Sequence, residues 1–530
     1  MMIREESLGR LRDAAEAFDV LIVGGGATGL GAAVDASGRG YRVALVEQAD
    51  FAAGTSSCST KLVHGGVRYL RQGDISLVRS ALRERALLLK NAPHLASPLR
   101  FVIPCYSYWE ILYYRFGLGL YDRLSGSLSL GRSRVLSREE TIQSLPTIET
   151  AKLCGGVVYY DGQFDDSRLA MTLAQTASEQ GACLINYCRC IGLLKEGGRV
   201  SGVLLRDLES GTEFGVRARV VVNATGIFVD TMRSFEEPSS KSLVSASQGV
   251  HLVLPMRFLP GGAALMVPRT EDGRVLFAIP WKDRVVVGTT DTPGILPSMT
   301  PRAQEAEIEF LLTHLGKYLA HAPVESDVLS LFAGLRPLVA QDGESTASLS
   351  RAHTILVSKG KLLTVTGGKW TTYRKMAEEV IDTAEKIAGL PHRRCPTENL
   401  ALHGSIPVSR IGDPSLKVYG SDAGRILKIA ESKEDGEELL HRDLPYIKAE
   451  VIWHVRYEMA RTVEDVLARR TRALVLDAGA AVASAQTVAG IIAQELRRDS
   501  GWIEQQVRQF NAYAANWLMP RRSVPELVER

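Results

Sequence analysis

The sequence predicts an α/β protein in which a Rossmann-like module is interleaved with a mixed-sheet module and followed by a C-terminal helical domain. Two observations support this prediction. From residue 18 to about residue 390, short apolar runs typical of strands alternate with helical segments, as in layered α/β folds. Beyond a proline- and charge-rich stretch at residues 390–397, glycine, proline and β-branched residues thin out and helical periodicity dominates. A domain boundary is therefore expected there.

The composition excludes several classes of protein. A chain of 530 residues allows roughly two to four domains, and 45% hydrophobic with 23% charged residues is typical of globular proteins. Because 63 Lys and Arg residues are balanced by 60 Asp and Glu residues, we expect no nucleic-acid partner. The seven cysteines and the charged, leaderless start indicate a reducing cytoplasm, and the cysteine spacing indicates buried thiols and no metal site. No apolar run reaches the length of about 18 residues that would span a membrane.

The elements follow in chain order. Residues 1–17 predict a charged helix that forms a surface extension. Apolar, β-branched runs predict strands at residues 20–23, 43–46, 220–222, 252–254, 275–279, 285–287 and 362–365. Helical patterns occur at residues 30–37, 303–318 and 376–388, and again from about residue 398 onwards.

A glycine-rich turn between the first strand and the helix after it carries the strongest motif. Gly24, Gly26 and Gly29 have the spacing of the dinucleotide fingerprint, and Glu47 ends the next strand about 20 residues later. Gly24 permits a tight turn, Gly26 lets the backbone approach a pyrophosphate, and Gly29 lets helix and strand pack closely. Glu47 would bind the adenosine ribose, which disfavours NADP. The motif leaves NAD and FAD open, and the alternative interpretation is an ordinary tight turn.

Two later segments favour a flavin. Residues 220–226 form an apolar strand that ends in small residues, among them Ala224 and Gly226. Residues 367–374 place a glycine pair and Lys369 directly before a helix, with two threonines that could cap it. A helix N-terminus with a lysine beside it would stabilise negative charge on a reduced flavin, whereas nicotinamide needs no such device.

Five strings, together with the glycine fingerprint, resemble the FAD-dependent aerobic glycerol-3-phosphate dehydrogenases. They are TSSCSTKLVHGGVRYL at residues 55–70, FAIPW at 277–281, GTTD at 288–291, GLRPL at 334–338 and GGKWTTYR at 367–374. The likeness covers residues 18–390 and continues more faintly at residues 456–470. It implies FAD as cofactor, oxidation of sn-glycerol 3-phosphate to dihydroxyacetone phosphate, a membrane quinone as acceptor, and a peripheral position on the cytoplasmic, inner face of the cell membrane.

The resemblance also implies the domain plan. One FAD-dependent oxidoreductase domain is expected at residues 18–392. Its FAD-binding parts are expected at about 18–80, 155–230 and 355–392, and its substrate parts at about 81–154 and 231–354. The helical domain would span residues 398–530.

Motif and resemblance together indicate the cofactor site. The residues expected to bind the cofactor are Gly24, Gly26, Gly29, Glu47, Thr55, Ser56, Ser59, Lys61, His64, Ala224, Gly226, Gly368, Lys369, Thr371 and Thr372. Several positions depart from the family pattern, among them Thr60, Ile227, Phe228, Trp370 and Gln248. Thr60 stands where a second serine is usual, and Gln248 stands where a lysine is common, which would remove one positive charge near the site.

A phosphorylated secondary alcohol makes two chemical demands. Its dianion suits arginine, whose fork binds phosphate oxygens in parallel hydrogen bonds, and the resemblance indicates Arg68 and Arg351, with Tyr69 as a further donor. Its hydroxyl proton needs a base, for which His251 is preferred because a pKa of about 6.5 suits proton transfer near neutrality. His64 is the alternative base.

Two cationic side chains would assist this chemistry. Arg336 and Lys369 would stabilise the developing alkoxide and the reduced flavin, which in a dry site is the larger catalytic effect. The alternative interpretation of His251 is a buried structural group, as a histidine on a strand often is.

The aromatic stretch at residues 109–121, with Arg115 and Arg123 beside it, has a composition suited to a bilayer interface, and core packing is the alternative. Basic residues at 469, 470 and 472 could assist that contact. A homodimer stays open. Two other functions stay open as well: an oxygen-dependent oxidase of glycerol 3-phosphate or of an amine or 2-hydroxy acid, and a non-catalytic flavin-dependent sensor or interaction subunit.

Overall fold

The computed structural model describes residues 2–67, 74–268, 270–271, 273–339 and 353–520. Within those ranges the strands are β1 (Phe18–Val23), β2 (Val43–Val46), β3 (Leu62–Val63), β4 (Ala96–Cys105), β5 (Arg134–Leu136), β6 (Gly155–Phe164), β7 (Cys183–Ile185), β8 (Cys188–Glu196), β9 (Arg199–Asp207), β10 (Glu213–Asn223), β11 (Val244–Pro255), β12 (Ala264–Val267), β13 (Leu276–Trp281), β14 (Arg284–Gly288), β15 (Thr292–Pro293), β16 (Ser330–Val339), β17 (His353–Val357) and β18 (Leu363–Gly367). The helices are α1 (Arg4–Arg12), α2 (Ala27–Gly38), α3 (Ile75–Asn91), α4 (Tyr108–Ser125), α5 (Arg138–Ser144), α6 (Asp166–Glu179), α7 (Val229–Ser234), α8 (Glu305–Gly316), α9 (Tyr373–Ala388), α10 (Ala423–Glu431), α11 (Lys448–Tyr457), α12 (Ala473–Leu476), α13 (Ala478–Leu496) and α14 (Ser500–Ala514). The predicted α/β fold with a helical C-terminal region is confirmed.

The first sheet forms the Rossmann-like layer. Its strands lie in the order β17, β18, β10, β1, β2, β7, and every pair from β18 to β7 is parallel. Val20 and Ile22 of β1 pack on α2, α6 and α9, whereas Leu21 and Val23 pack on α1 and on the β8–β9 hairpin. Both faces of β1 are thus covered, which explains its nearly continuous apolar sequence. The carboxyl ends of β1, β10 and β18 meet at one edge of the sheet.

The second sheet forms the mixed module. Its strands lie in the order β15, β11, β14, β13, β12, β4, β6, β3, with β16 beside β11 and β5 beside β6. Along β11, Val250, Leu252 and Leu254 pack in the same core as α8, while Val253 packs with the C-terminal helices. Because side chains alternate along a strand, His251 shares the face of Val253. Strands β3 and β6 belong to this sheet although the sequence places them in FAD-binding parts.

Helix α1 packs more firmly than the expected surface extension. Met2 and Leu11 are buried, and the buried guanidinium of Arg4 pairs with Asp207 and donates to the carbonyl oxygens of Asn186 and Tyr187. The sequence pattern did not reveal this anchoring because the partners lie 182 to 203 residues away. The segment therefore closes one face of the first sheet.

The C-terminal helices pack on the second sheet in a shared core that contains Phe101, Ile279 and Phe332 from strands, and Leu474 and Val488 from the C-terminal region. No helix in the described part of the chain is both long and apolar enough to cross a membrane.

Three C-terminal arginines correct an expectation. Arg469, Arg470 and Arg472 are buried, so they do not form a basic surface for lipid. Arg469 Nε lies 2.7 Å and Arg470 Nη1 lies 2.6 Å from Asp50 Oδ2, and Arg472 Nη2 lies 3.1 Å from Asp166 Oδ1. Buried charges require such partners, since an unpaired one is strongly destabilising. These arginines join the C-terminal helices to the first sheet.

A histidine also joins the two regions. The backbone N–H of His403 donates to Thr176 Oγ1, its Nδ1 lies 2.7 Å from Glu179 Oε1, and its Nε2 lies 2.7 Å from Asp422 Oδ2. Burial alone would lower the pKa of His403, but the hydrogen bonds and charges of Asp422 and Glu179 outweigh it and raise the pKa. The protonated imidazolium is therefore the form that the fold stabilises.

We predict a pH-dependent effect of His403→Gln. A raised pKa in the folded state stabilises the protein fully below the unfolded pKa of about 6.5, and the effect is lost as the pH rises through the folded pKa. The variant should lose about 1 kcal/mol of unfolding free energy at mildly acidic pH and less at alkaline pH, measured by urea unfolding. His321→Gln, which replaces an exposed histidine, is the control for the substitution itself. An equal loss at both pH values would contradict the prediction.

Candidate active site

A cavity of about 920 Å³ lies between the carboxyl-end edge of the first sheet and one face of the second sheet. Its walls come from segments that are far apart in sequence. The predicted site residues that line it are Gly26, Thr55, Ser56, Ser59, His64, Ala224, Gly226, His251, Arg336, Gly368, Lys369 and Thr371. A position at the carboxyl ends of parallel strands is where open α/β sheets bind their ligands.

The glycine-rich turn after β1 has no room for side chains. Gly24 has φ +113°, and a Cβ there would lie 2.5 Å from the carbonyl oxygen of Ala224. A Cβ on Gly29 would overlap the carbonyl oxygen of Gly24, and one on Gly26 would lie 3.0 Å from Ser56 Oγ. The turn thereby exposes the start of α2 to the cavity, where the helix dipole favours an anion and the N–H of Ala27 donates to Ser56 Oγ at 2.9 Å.

Glu47 braces this turn. Its carboxylate accepts hydrogen bonds from the backbone N–H of Gly25 at 2.6 Å and of Ala49 at 2.9 Å. Burial raises the pKa of Glu47, although these backbone donors act in the opposite direction. Like Gly24 and Gly29, Glu47 shapes the turn rather than lining the cavity.

The loop after β2 is held from behind by Asp166, at the start of α6. Its Oδ2 accepts from Ser59 N–H at 3.0 Å, Ser59 Oγ at 2.7 Å and Lys61 Nζ at 2.7 Å. Lys61 also donates to the carbonyl oxygen of Ser57 at 2.9 Å and is fully buried, so its side chain lies behind the loop and not in the cavity. This position differs from the expected contact with the cofactor. Burial lowers the pKa of Lys61 to about 8, although Asp166 opposes the shift.

The segment before α9 closes another wall. Gly367 and Gly368 both have positive φ, and the chain then passes Lys369 into the helix. Trp370 Nε1 donates to the carbonyl oxygen of Ser56 at 2.9 Å, which ties this segment to the loop after β2. Thr371 Oγ1 accepts from the N–H of His64 at 3.3 Å.

Thr372 occupies the N-cap position of α9 but does not cap it with its side chain. Its hydroxyl donates to the carbonyl oxygen of Lys369 at 3.4 Å, and the residue does not line the cavity. The expected threonine cap is therefore absent at this position.

His251 lies at the wall formed by the second sheet. Its Nε2 is 2.8 Å from Thr60 Oγ1, and its ring stacks on Phe332 with centroids 4.7 Å apart. Burial, together with the charges of Lys61 and Arg336, lowers the pKa of His251 well below its ordinary value. Nδ1 has no hydrogen-bond partner among the described residues. A neutral imidazole thus faces a cavity in which it can accept a proton.

Arg336 lies on the same face of the second sheet as His251. Strand pairing sets Arg336 opposite Ser247 and Phe332 opposite His251, and residues four positions apart on a strand point to the same face. Its guanidinium reaches Asp291 Oδ1 at 3.3 Å and Thr289 Oγ1 at 3.0 Å. These contacts fix a positive charge beside the imidazole.

Four further sequence expectations have different outcomes. Arg68, Tyr69 and Arg351 lie outside the described residues. Gln248 points away from the cavity, since its amide donates to Glu307 Oε2 at 2.7 Å and to the carbonyl oxygen of Arg302 at 2.8 Å. A lysine at that position would face α8, so the glutamine removes no charge from the site.

Sequence reasoning missed three residues that organise the site: Thr60, Asp166 and Asp291. Thr60 differed from the family pattern and Asp291 ends a matching string, but neither signal revealed the bond to His251 or Arg336. The sequence did not single out Asp166, because a carboxylate near the start of a helix is usually interpreted as a helix cap.

The residues present fit a flavin dinucleotide. The glycine turn and Ser56 would hold the pyrophosphate at the start of α2, and Lys369 with Thr371 would hold the ring. Thr366 Oγ1, on the cavity wall, is buried and has no partner within the described ranges, as expected for a group that bonds to a ligand. The volume of about 920 Å³ suits a large cofactor.

We predict that Gly29→Val abolishes flavin binding, because the added side chain would displace the turn backbone. Gly26→Ala should reduce flavin content more mildly, since its Cβ meets only a serine hydroxyl. Flavin absorbance relative to protein absorbance measures both effects, with circular dichroism as a test of folding. Gly119→Ala, whose Cβ would meet nothing within 4 Å, is the matched control. Full flavin content in folded Gly29→Val would contradict the prediction.

Comparison with known proteins agrees with this geometry. The family model described as "FAD dependent oxidoreductase" matches residues 19–374, and that of the "C-terminal domain of alpha-glycerophosphate oxidase" matches residues 363–503. The mitochondrial glycerol-3-phosphate dehydrogenase of Arabidopsis thaliana is 40% identical, over 94% of this chain and 86% of its own. The human mitochondrial enzyme is 39% identical, over 94% of this chain and 73% of its own.

A solved structure extends the comparison. The glycerol-3-phosphate dehydrogenase from Bacillus halodurans, complexed with FAD, superposes with a TM-score of 0.80 at 28% identity and covers 98% of each chain. Fold, cavity and relatives therefore agree that FAD is the cofactor and that the chain belongs to the family of FAD-dependent glycerol-3-phosphate dehydrogenases.

Proposed function

We propose that the protein oxidises sn-glycerol 3-phosphate to dihydroxyacetone phosphate with bound FAD and passes the electrons to a membrane quinone. The observation that carries the proposal is a neutral, buried His251 that faces the same cavity as the glycine turn and Arg336. The names of the relatives support the substrate.

His251 supplies the base in this proposal. FAD, when bound, accepts the hydride that leaves the secondary alcohol carbon. His251 takes the hydroxyl proton at a ring nitrogen, and its low pKa keeps that nitrogen available through the neutral range. Thr60 holds the ring in place through Nε2. Arg336 stabilises negative charge on the substrate oxygen as the proton leaves.

The cavity also suits an anionic substrate. Arg274, Arg336 and Lys369 line it, while its carboxylates are engaged, Asp291 with Arg336 and Asp161 with Arg85. The local charge therefore favours a phosphate ester. Arg68, Tyr69 and Arg351 stay predictions for the phosphate site on the basis of sequence alone.

Helix α4 supports a membrane acceptor. Trp109 and Phe116 are 81% and 80% exposed, and Tyr108, Leu112 and Tyr113 are exposed beside them. Tyr113 and Phe116 also line the cavity. An exposed apolar patch that borders an active site suits contact with a bilayer and access for a lipid-soluble quinone. We propose that this contact is peripheral and lies at the inner, cytoplasmic face of the cell membrane.

Anaerobic flavin bleaching tests the substrate. Glycerol 3-phosphate should reduce the flavin and glycerol should not, because glycerol lacks the dianion that the cavity binds. Oxidised flavin in the presence of the phosphate ester would remove the substrate assignment and leave the cofactor assignment unaffected.

The electron acceptor is tested separately. Turnover with a quinone analogue should exceed peroxide formation with oxygen. A peroxide yield equal to substrate consumed would instead identify an oxidase.

Substitutions at two residues test the base. His251→Asn should slow flavin reduction by about 100- to 10,000-fold while flavin stays bound. Thr60→Val should slow it less, since it removes only the hydrogen bond that orients the ring, and Thr60→Ser should restore it. With the wild type, the reduction rate should not fall as the pH is lowered from about 8 to about 6.5, because burial holds the pKa of His251 well below its ordinary value of about 6.5. Stopped-flow absorbance measures each of these reduction rates, and an unchanged rate in His251→Asn would eliminate this base.

A further inference from the structure

A second concave surface lies along α4 on the flank away from the active-site cavity. Its volume is about 700 Å³. We call it the basic groove and define it by its charged residues and its floor, namely Arg115, Gly119, Asp122 and Arg123 of α4, and Arg132 and Arg134 of the segment that follows.

The helical period divides α4 into distinct stripes. The spacing of residues 115, 119, 122 and 123 places them on one side of the helix, whereas residues 113, 114, 117 and 118 line the cavity on another side. Between the two lie Trp109, Leu112 and Phe116, which are exposed, and Phe116 also borders the cavity. The basic groove therefore borders the aromatic face along its length.

Three of the four arginines in the groove have no partner among the described residues. Arg115, Arg123 and Arg132 are exposed and make no hydrogen bond or ion pair with any described residue. Arg134 pairs with Glu140 at 2.8 Å. The carboxylate of Asp122 accepts from the N–H of Ser133 at 2.7 Å and from its hydroxyl at 2.6 Å, so it braces the following loop.

We propose that the basic groove binds the phosphate-bearing head groups of anionic phospholipids when the aromatic face of α4 rests on a bilayer. This inference rests on the membrane contact of the proposed function. Arginines beside exposed tryptophan and phenylalanine are the arrangement that an interfacial helix uses: the rings enter the boundary of the acyl chains and the guanidinium groups stay at head-group level. Each arginine near an anionic surface adds to the attraction, which is screened by salt.

Gly119 makes the groove testable without disturbing the core. A Cβ at Gly119 would meet nothing within 4 Å, so the position accepts a side chain. Gly119→Glu would place a carboxylate among the arginines, and Gly119→Gln is its neutral control of the same size. Both replacements also favour a helix over glycine, so neither should unfold α4.

The experiment is co-sedimentation of the flavin-loaded protein with vesicles. One set of vesicles is phosphatidylcholine alone, and the other contains one third phosphatidylglycerol. The wild type should bind the anionic vesicles more tightly, and added salt should reduce the difference. Arg123→Gln/Arg132→Gln should lower affinity for anionic vesicles by roughly 30-fold and leave binding to phosphatidylcholine unchanged.

Matched variants separate the groove from charge in general. Arg189→Gln/Arg199→Gln removes two exposed arginines from β8 and β9 of the first sheet and should leave vesicle binding unchanged. Gly119→Glu should weaken binding to anionic vesicles and Gly119→Gln should not. Equal losses of vesicle affinity in the two double-arginine variants, or no loss in either, would overturn the proposal that the groove binds lipid head groups.

Two further arms distinguish other outcomes. Inorganic phosphate at constant ionic strength should not release the protein from anionic vesicles, and release would identify a site for free anions and overturn the lipid proposal. Trp109→Ser should weaken binding to both kinds of vesicle, because it acts through the aromatic face. Unchanged vesicle binding by Trp109→Ser would overturn the membrane contact itself. Substrate oxidation is tested independently by flavin bleaching.

Discussion

The buried carboxylate of Asp166 is the contact on which the arrangement of the active site depends. It binds Ser59, Lys61 and Arg472 at once, so one group joins the loop after β2, the start of α6 and the C-terminal helices. Arg472 and Lys61 also share the carbonyl oxygen of Ser57. The loop that these contacts fix carries Thr60, whose hydroxyl orients His251. Charge pairing in a dry interior thus positions a neutral base at the cavity wall.

The nucleotide-binding end of the molecule could be predicted from sequence because its determinants are local. Gly24, Gly26 and Gly29 act within one strand–turn–helix unit, and steric limits on glycine positions leave a clear trace in the sequence. The alternation of strands and helices could be predicted equally well, although the observed ends differ from the predicted ones by a few residues. Helix α9, for example, begins at Tyr373, ahead of the predicted residue 376.

The convergence of His251 and Arg336 could be anticipated only through family resemblance. They lie on neighbouring strands joined by a long connection, and no spacing rule brings them together. Buried ion pairs were harder still. Asp50 and Arg470 are separated by 420 residues, and nothing in a run of arginines distinguishes a buried cluster from a solvated surface. The same reason explains the wrong predictions for Lys61, Gln248 and the C-terminal arginines. The sequence shows a charged or polar side chain but not the direction in which it points.

The pairing of Asp50 with Arg469 and Arg470 has a consequence for the ancestry and engineering of the protein. Two carboxylate oxygens from the oxidoreductase portion depend on two guanidinium groups from the far end of the polypeptide. Neither portion can be transplanted into a hybrid without stranding ionised groups in an apolar interior. The two portions are thus expected to be inherited as one unit, and any recombination joint that preserves function must exchange acid and arginines together.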